Sequence, residues 1–173
     1  DGEDQHAKRS IRYCKADGAK MTLYPLDKKV FVLKGNPVQL LSGLTSNTLD
    51  APKNAFLNMH GRIIATFEQR RLSDDEFLLV IATKAVDAVK SHMDRYLKLN
   101  RSTLTETSRK VYFDLESNDH ILITDKDYPA DISEHEFTLY RLEHNIPLHT
   151  IDYHDEMLLN VDEHDFVSFT KGC

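Results

Sequence analysis

The last third of the sequence holds the densest group of side chains that could bind a metal ion. Four histidines lie between residues 144 and 165 with several acids, and the residues considered as ligands are His144, His149, His154, His164, Asp152, Asp155, Glu156 and Asp165. A zinc site takes three or four such ligands from a rigid frame, often at i, i+4 or from a tight turn. Spacings of five and ten residues between these histidines match neither pattern. We therefore predict a polar surface with exposed imidazoles and no metal site.

Two charged motifs could act on a substrate or bind an anion. Ser-Asp-Asp-Glu at 73–76 offers paired carboxylates for acid–base work, but it separates two β-like runs and is typical of a hairpin turn. Within Glu-Gln-Arg-Arg at 68–71, Arg70 and Arg71 would point to opposite faces of a strand, so only one could face a pocket. Arg62 follows a predicted turn, where it could bind an anion or simply begin a strand at the surface.

Two thiols, Cys14 and Cys173, lie near opposite ends of the sequence. One pair cannot build a disulfide framework, so we expect reduced thiols and a cytoplasmic protein. Lys171 would favour the thiolate of Cys173, whereas a terminal carboxylate on the same residue would oppose it. By itself, Lys-Gly-Cys is typical of a flexible tail that carries a thiol.

Glu143 stands near the end of a predicted amphipathic helix, where the helix dipole disfavours a carboxylate. An acid at such a place could be recruited for recognition, for example by accepting paired hydrogen bonds from an amino-heterocycle. The alternative is an exposed glutamate that pairs with a nearby cation such as Arg141. The residues alone favour this alternative.

Composition places the chain among ordinary globular proteins. It has 173 residues, 40 % hydrophobic and 29 % charged, with a formal net charge of −6. This length allows one sizeable core or two small ones. The acidic balance argues against a protein that coats nucleic acid, but leaves room for a local basic pocket. No apolar run approaches a membrane span, and residues 1–14 lack the apolar stretch of a secretory signal. Residues 1–20 have no hydrophobic period, and we predict a poorly ordered polar leader.

The first half of the chain predicts strands and two helices. A β-prone run at 30–33 precedes a short helix, with Asn36 as its cap, Pro37 at its first position and Gly43 helping to end it. A meander of strands follows, with turns at 60–61 and at 73–76. The best helical period in the chain comes next, from Val86, Val89, Met93, Tyr96 and Leu97.

The second half predicts a hairpin followed by a helix. Its strands are the runs at 110–116 and 121–125. Ser133 and Glu136 have the spacing of a capping box, and Asn145 suits the left-handed position that ends a helix. Antiparallel strands separated by helices predict an α+β fold with helices covering one sheet face. Two hairpin-plus-helix units could form subdomains, roughly 21–100 and 101–173.

Three segments together resemble one known family. LLSGLTSNTLDAPKNAFLNMHGRIIATF resembles the family pattern LLxGLTTNDV followed by FLNxxGRIxAD, LYRLEHNIP resembles RIExGIP, and VSFTKGC resembles the opening of KGCYxGQE. These are marks of the YgfZ-type folate-binding proteins, relatives of the glycine-cleavage T-protein, an aminomethyltransferase. The segments come in family order, and the resemblance covers about residues 24–173.

The resemblance implies ferredoxin-like α+β modules around a tetrahydrofolate site, with the C-terminal β-barrel absent from this sequence. It implies an accessory protein that supports iron–sulfur cluster assembly or repair and, indirectly, tRNA modification, with iron–sulfur client or assembly proteins as partners. By motif, Glu143 would read the pterin edge. Asn47 and Arg62 match further folate-site positions, and Cys173 with Lys171 belongs to the cysteine motif.

Departures from the pattern bear on activity. The position where the T-protein has an aspartate for methylene transfer is Ala65 or Thr66 here, and neither carries a charge. Thr48 replaces the acid of the TND motif, and Asn145 replaces a glycine. An accessory role without aminomethyl transfer is therefore the leading hypothesis. An aminomethyltransferase and a protein-binding scaffold without ligand are the alternatives.

Overall fold

The structure is a computed structural model, which describes residues 18–161 and 164–171. The predicted leader therefore lies almost wholly outside the described residues, as do Cys14 and Cys173. The strands are β1 (Leu23–Pro25), β2 (Lys28–Lys34), β3 (Lys53–Leu57), β4 (Ile63–Ser73), β5 (Glu76–Ala82), β6 (Thr103–Glu106), β7 (Lys110–Asp114) and β8 (Ile121–Thr124). The helices are α1 (Pro37–Leu44), α2 (Val86–Leu99) and α3 (Glu134–Glu143), with single 3-10 turns at Thr83–Ala85, Leu158–Asn160 and His164–Phe166.

The larger sheet has the strand order β3-β4-β5-β2-β6, and all its neighbours are antiparallel. Without the edge strand β3, the order of chain elements is β2-α1-β4-β5-α2-β6, which is the ferredoxin-like βαββαβ arrangement. A smaller antiparallel sheet has the order β1-β7-β8. The predicted α+β fold with antiparallel sheets is confirmed. Neither sheet closes into a barrel within the described residues.

Both sheets draw strands from either side of residue 100. β1 pairs with β7, while β6 pairs with β2. The subdomain boundary near residue 100 stays a prediction. Strand β1, from before this boundary, belongs to the smaller sheet, and β6, from after it, belongs to the larger sheet.

Helices α1 and α2 cover one face of the larger sheet. Alternate strand residues supply this core because side chains of a strand point to opposite faces. Phe56 and Phe67 are fully buried in it, with ring centroids 4.6 Å apart. From α2, Val89 and Met93 enter the same cluster, as the sequence period predicts. Burial of two such side chains contributes about 3–6 kcal/mol.

The opposite face packs against the smaller sheet. Val30 and Val80 contact Val111 in a second cluster, and α3 adds Phe137, whose ring centroid lies 5.1 Å from that of Phe113. Residues that face away from α1 and α2 are therefore buried between elements rather than exposed. This face carries the polar groups described below.

Local signals in the sequence fix the ends of α3 and only part of α1. Ser133 and Glu136 form the predicted capping box, and Asn145 has the predicted left-handed backbone, with φ of 50°. Asn36 is the cap residue of α1, but its side chain donates to the carbonyl of Asn100 and not to the helix. The prediction that Gly43 ends α1 is wrong, because the helix continues to Leu44.

Thr45 explains that extension, since its hydroxyl donates to the carbonyl of Leu41 at 2.6 Å and completes the last turn. Elsewhere the predicted turns are confirmed between β3 and β4 and at Asp74-Asp75. No helix within the described ranges is both long and apolar enough to cross a membrane.

Candidate functional site

The buried side chain of Asn47 links the start of β3 to the last part of the described chain through hydrogen bonds. Its side-chain amide donates to the carbonyls of Lys53, at 2.9 Å, and of Asp165, at 2.8 Å. Its backbone N–H donates to the side chain of Asn54 at 2.8 Å. The side-chain oxygen accepts from the N–H of Thr48. These bonds occupy the amide, so Asn47 shapes a wall and does not offer a free group to a ligand.

Lys171 lies on the same side, at the end of α1. Its ammonium donates to the carbonyl of Thr45 at 2.5 Å. Burial lowers the pKa of Lys171, because the charged form loses water. Ser46 binds the same terminal segment twice, donating to the carbonyl of Phe166 and accepting from the N–H of Ser168. Residues 166–171 therefore run beside residues 45–46, and Cys173 lies outside the described residues.

Thr66 and Ala65 point to opposite faces of β4. Ala65 belongs to the core under α1 and α2. Thr66 is buried on the other face, where its hydroxyl lies 2.6 Å from the hydroxyl of Tyr153. Of the two positions considered for a missing acid, only Thr66 thus faces the polar side of the sheet. Tyr153 was missed from sequence, since it lies in a tail without period.

Arg62 and Glu143 occupy other parts of the surface. The exposed guanidinium of Arg62 donates to the carbonyl of Asp155 at 2.7 Å and lies 3.9 Å from its carboxylate. Glu143 is exposed at the last residue of α3. Arg141 is buried and pairs with Asp152 at 2.7 Å, so the alternative in which Arg141 pairs with Glu143 is wrong. No bond in the described part of the chain joins Glu143 to Asn47, Thr66 or Lys171.

A cavity of about 440 Å³ opens beside Asn47, between β3–β4 and the turn before β8. Its wall consists of Pro52, Lys53, Glu68, Gln69, Arg70, Asn118, Asp119, His120, Ile121 and Asp165. This volume lies within the range of small-molecule sites. Gln69 fixes the loop that borders the cavity. Its side-chain amide donates to the carbonyls of Thr48 and Ala51, and its side-chain oxygen accepts from Asn54.

Two arginines of β4 diverge as predicted. Arg70 lines the cavity, where it donates to the carbonyl of Ile121 at 3.1 Å and lies 3.4 Å from the carboxylate of Asp119. Arg71 binds Asp50 and Asp74 outside the cavity. The hydrogen bond that Arg71 donates to Asp74 is the main reason why the pKa of Arg71 is raised. Of these two arginines, only Arg70 lines the cavity.

A buried ion pair separates this cavity from a second polar region. The ammonium of Lys28 lies 3.0 and 3.1 Å from the two carboxylate oxygens of Glu68, and both side chains are largely buried. Beyond Lys28 lies His149, which is only 7 % exposed. Burial, followed by the charges of Lys28 and His154, lowers the pKa of His149 to about 4. His149 is therefore neutral at physiological pH.

The prediction of exposed imidazoles is right for His144 and His154 and wrong for His149. The physical reason is the turn at 148–152, which Asp152 closes by accepting from Arg141 and from the N–H of Leu148, both at 2.7 Å. That turn carries His149 inward. Among the described residues, no three histidine, cysteine or acidic side chains come together as a metal site.

The sequence and the structure were compared with those of known proteins. No family model matches the sequence, and no curated protein matches it either. Among solved structures, the chain is similar to the crystal structure of glycine cleavage system aminomethyltransferase T from Bartonella henselae, at 15 % identity and a TM-score of 0.47. The match covers 60 % of this chain and 36 % of that one. This chain therefore spans little more than a third of that protein, and a likeness of this degree identifies neither family nor activity.

Proposed function

We propose that the chain binds a tetrahydrofolate and is part of an accessory protein that supports iron–sulfur cluster assembly or repair. One observation carries the proposal: the first and the last of the three segments that bear the folate-family resemblance lie together beside β3 and β4. Asn47 contacts Lys53 and Asp165, while Lys171 contacts Thr45. An effect on tRNA modification, iron–sulfur client proteins as partners and a cytoplasmic location are further predictions from the resemblance.

The cavity of about 440 Å³ is the candidate folate site. A folate joins a pterin to a carboxylate-bearing tail. Lys53 and Arg70 supply positive charge on the wall, which suits those carboxylates. Asn118 and Gln69 add amides, although the amide of Gln69 is engaged with the protein. The volume therefore suits the ligand, while Lys53 and Arg70 each lie beside a wall carboxylate, Asp165 at 3.8 Å and Asp119 at 3.4 Å. Glu143 does not line this cavity, so its pterin-reading role is a separate prediction.

The polar face of β4 offers no free acid for aminomethyl transfer. The hydroxyl of Thr66 is engaged by Tyr153. Glu68, two residues further along the same face, lines the cavity, but both its oxygens bind the ammonium of Lys28. Both oxygens of this carboxylate are engaged by the ion pair, so neither is free to contact a substrate. The arrangement supports binding without turnover.

Calorimetric titration with tetrahydrofolate tests the proposal. We expect saturable binding that Lys53→Met weakens about tenfold, by loss of a charge-assisted contact. Lys98→Met removes an exposed ammonium from the far end of α2 and should leave affinity unchanged. Absence of binding, or equal loss in both variants, would contradict the proposed site. A glycine-cleavage assay with lipoyl carrier protein separates the accessory role from the aminomethyltransferase alternative, and turnover in that assay would favour Glu68 as the base.

A further inference from the structure

Two further recesses meet at His149. Neither has a lining residue in common with the proposed folate cavity. One has a volume of about 310 Å³ and the other about 150 Å³. Lys84, His149 and Thr150 line both. The two recesses form one groove, hereafter the His149 groove, between the start of α2 and the turn at 148–152.

The imidazole of His149 is the anchor of this groove. Its Nδ1 is buried and has no hydrogen-bond partner in the structure. Most buried polar atoms in proteins are satisfied, and leaving one unpaired costs about 1–3 kcal/mol. An unpaired ring nitrogen at a cavity wall is completed when a ligand atom binds it. His149, which lines both recesses, therefore carries a ring nitrogen that is not yet hydrogen-bonded.

The groove is lined by two lysines, Lys28 and Lys84, and by two acids, and Lys28 is paired with Glu68. Lys28 and His154 both lower the pKa of His149, so each places positive potential at the ring. Lys84 is exposed at the groove, and its ammonium makes no hydrogen bond or ion pair with the described residues. The acids on the wall are Asp27 and Asp155, and Asp155 lies 3.9 Å from Arg62. An anionic group is the chemistry that this side of the groove favours.

The other wall of the groove is apolar. Ile63, Ile64, Ala85 and Ala88 line its larger part. Inorganic anions gain nothing from such a surface, whereas an alkyl chain gains about 0.8 kcal/mol for each buried methylene. The ligand that matches both walls is therefore an amphipathic anion.

The groove is held in shape before any ligand binds. Asp152 accepts two hydrogen bonds of 2.7 Å that close the turn beneath His149. Thr150, on the shared wall, has a left-handed backbone with φ of 71°, which is costly for a β-branched residue. Strained residues of this kind concentrate at binding sites. A preorganised wall reduces the entropy lost on binding.

We propose that the His149 groove binds a short-chain aliphatic carboxylate. One carboxylate oxygen accepts a hydrogen bond from the imidazole of His149, and the ammonium of Lys84 neutralises the charge. The alkyl chain lies on Ile63, Ala85 and Ala88. This site is independent of the proposed folate cavity, and either can exist without the other.

Histidine-resolved NMR of the 13C-labelled protein tests the site, with sodium butyrate, sodium acetate and inorganic phosphate as probes. We expect butyrate to shift the ring signal of His149 saturably, with a dissociation constant of about 1 mM. Acetate lacks two methylenes and should bind about tenfold more weakly. Lys84→Met, a change at an exposed side chain, should weaken butyrate binding about tenfold.

Lys90→Met is the matched control, since Lys90 is an exposed lysine of α2 that does not line the groove. It should leave butyrate affinity unchanged. His149→Phe should abolish binding while far-ultraviolet circular dichroism reports whether the fold is retained. The proposal is overturned if no probe gives a saturable shift, if Lys84→Met binds butyrate like the wild type, or if phosphate binds as tightly as butyrate.

Discussion

The hydroxyl of Tyr153 lies 2.6 Å from the hydroxyl of Thr66, and both residues are buried. Thr66 is one of the two positions, with Ala65, that the resemblance matches to an aspartate. Each hydroxyl can donate to one partner and accept from another, so the pair satisfies itself without a charge. The contact also joins β4 to the segment after α3. It therefore stabilises the packing of that segment on the sheet.

Removing one hydroxyl of this pair should destabilise the fold. Thr66→Val and Tyr153→Phe should each lower the free energy of unfolding by about 1–2 kcal/mol, because each removes this buried hydroxyl–hydroxyl hydrogen bond. The double variant should lose less than the sum, as measured by urea denaturation. Tyr96→Phe is the control, since the hydroxyl of Tyr96 accepts only from exposed Arg95. Strict additivity in the double variant would show that the two hydroxyls do not interact.

Features that depend on residues close together in the sequence, such as helix ends and buried faces, were predicted from the sequence. The capping box of α3 depends on Ser133 and Glu136, three residues apart, and the sequence contains all the information needed. Periods of 3.6 and 2 likewise placed α2 and the meander, because the buried face of each element repeats along the chain. The α+β fold class follows from such signals.

Contacts between distant residues could not be predicted in this way. Asn47 was identified from a motif, but its bond to Asp165 spans 118 residues. The burial of His149 depends on Arg141 and Asp152, whose pairing no spacing rule indicates. Asn36 shows the same limit at the start of α1. The local rule predicts that its side chain caps the helix, but the side chain donates to the carbonyl of Asn100, which is distant in the sequence. Contacts of this kind become visible only when the folded chain brings distant residues together.

Asp152 should be important for stability although its side chain is partly exposed. Asp152→Asn keeps the shape but leaves the buried guanidinium of Arg141 without its counter-charge. We expect the free energy of unfolding to fall by about 1–3 kcal/mol. Asp94→Asn, which breaks the exposed Asp94–Lys98 pair, should cost less than about 0.5 kcal/mol. Equal costs in chemical denaturation would contradict a structural role for the Arg141–Asp152 pair.

Acid should destabilise the protein in part through His149. Its pKa is lowered from 6.5 to about 4 in the folded chain, so the unfolded state binds the extra proton between these values. The stabilisation is complete above pH 6.5 and is lost as the pH falls towards 4. After allowance for partial solvent screening, the loss is about 2 kcal/mol.

His149→Phe isolates this contribution in a pH series of urea denaturations. The variant should show a shallower loss of stability between pH 6.5 and 4 than the wild type. A residual slope should remain, because burial also lowers the pKa of His92. His135→Gln, at an exposed position of α3, should follow the wild-type curve. Parallel curves for His149→Phe and the wild type would contradict the lowered pKa.

Glu143 and Glu134 allow the pterin-reading hypothesis to be separated from a general effect on α3. Both are exposed, at opposite ends of the helix. An acid in the first turn stabilises a helix and one in the last turn does not, so Glu134→Ala should be the less stable variant. We nevertheless expect Glu143→Ala to weaken tetrahydrofolate binding about tenfold and Glu134→Ala to leave it nearly unchanged. Equal affinities beside a binding wild type would remove Glu143 from the site, whereas a wild type that does not bind would contradict the folate proposal itself.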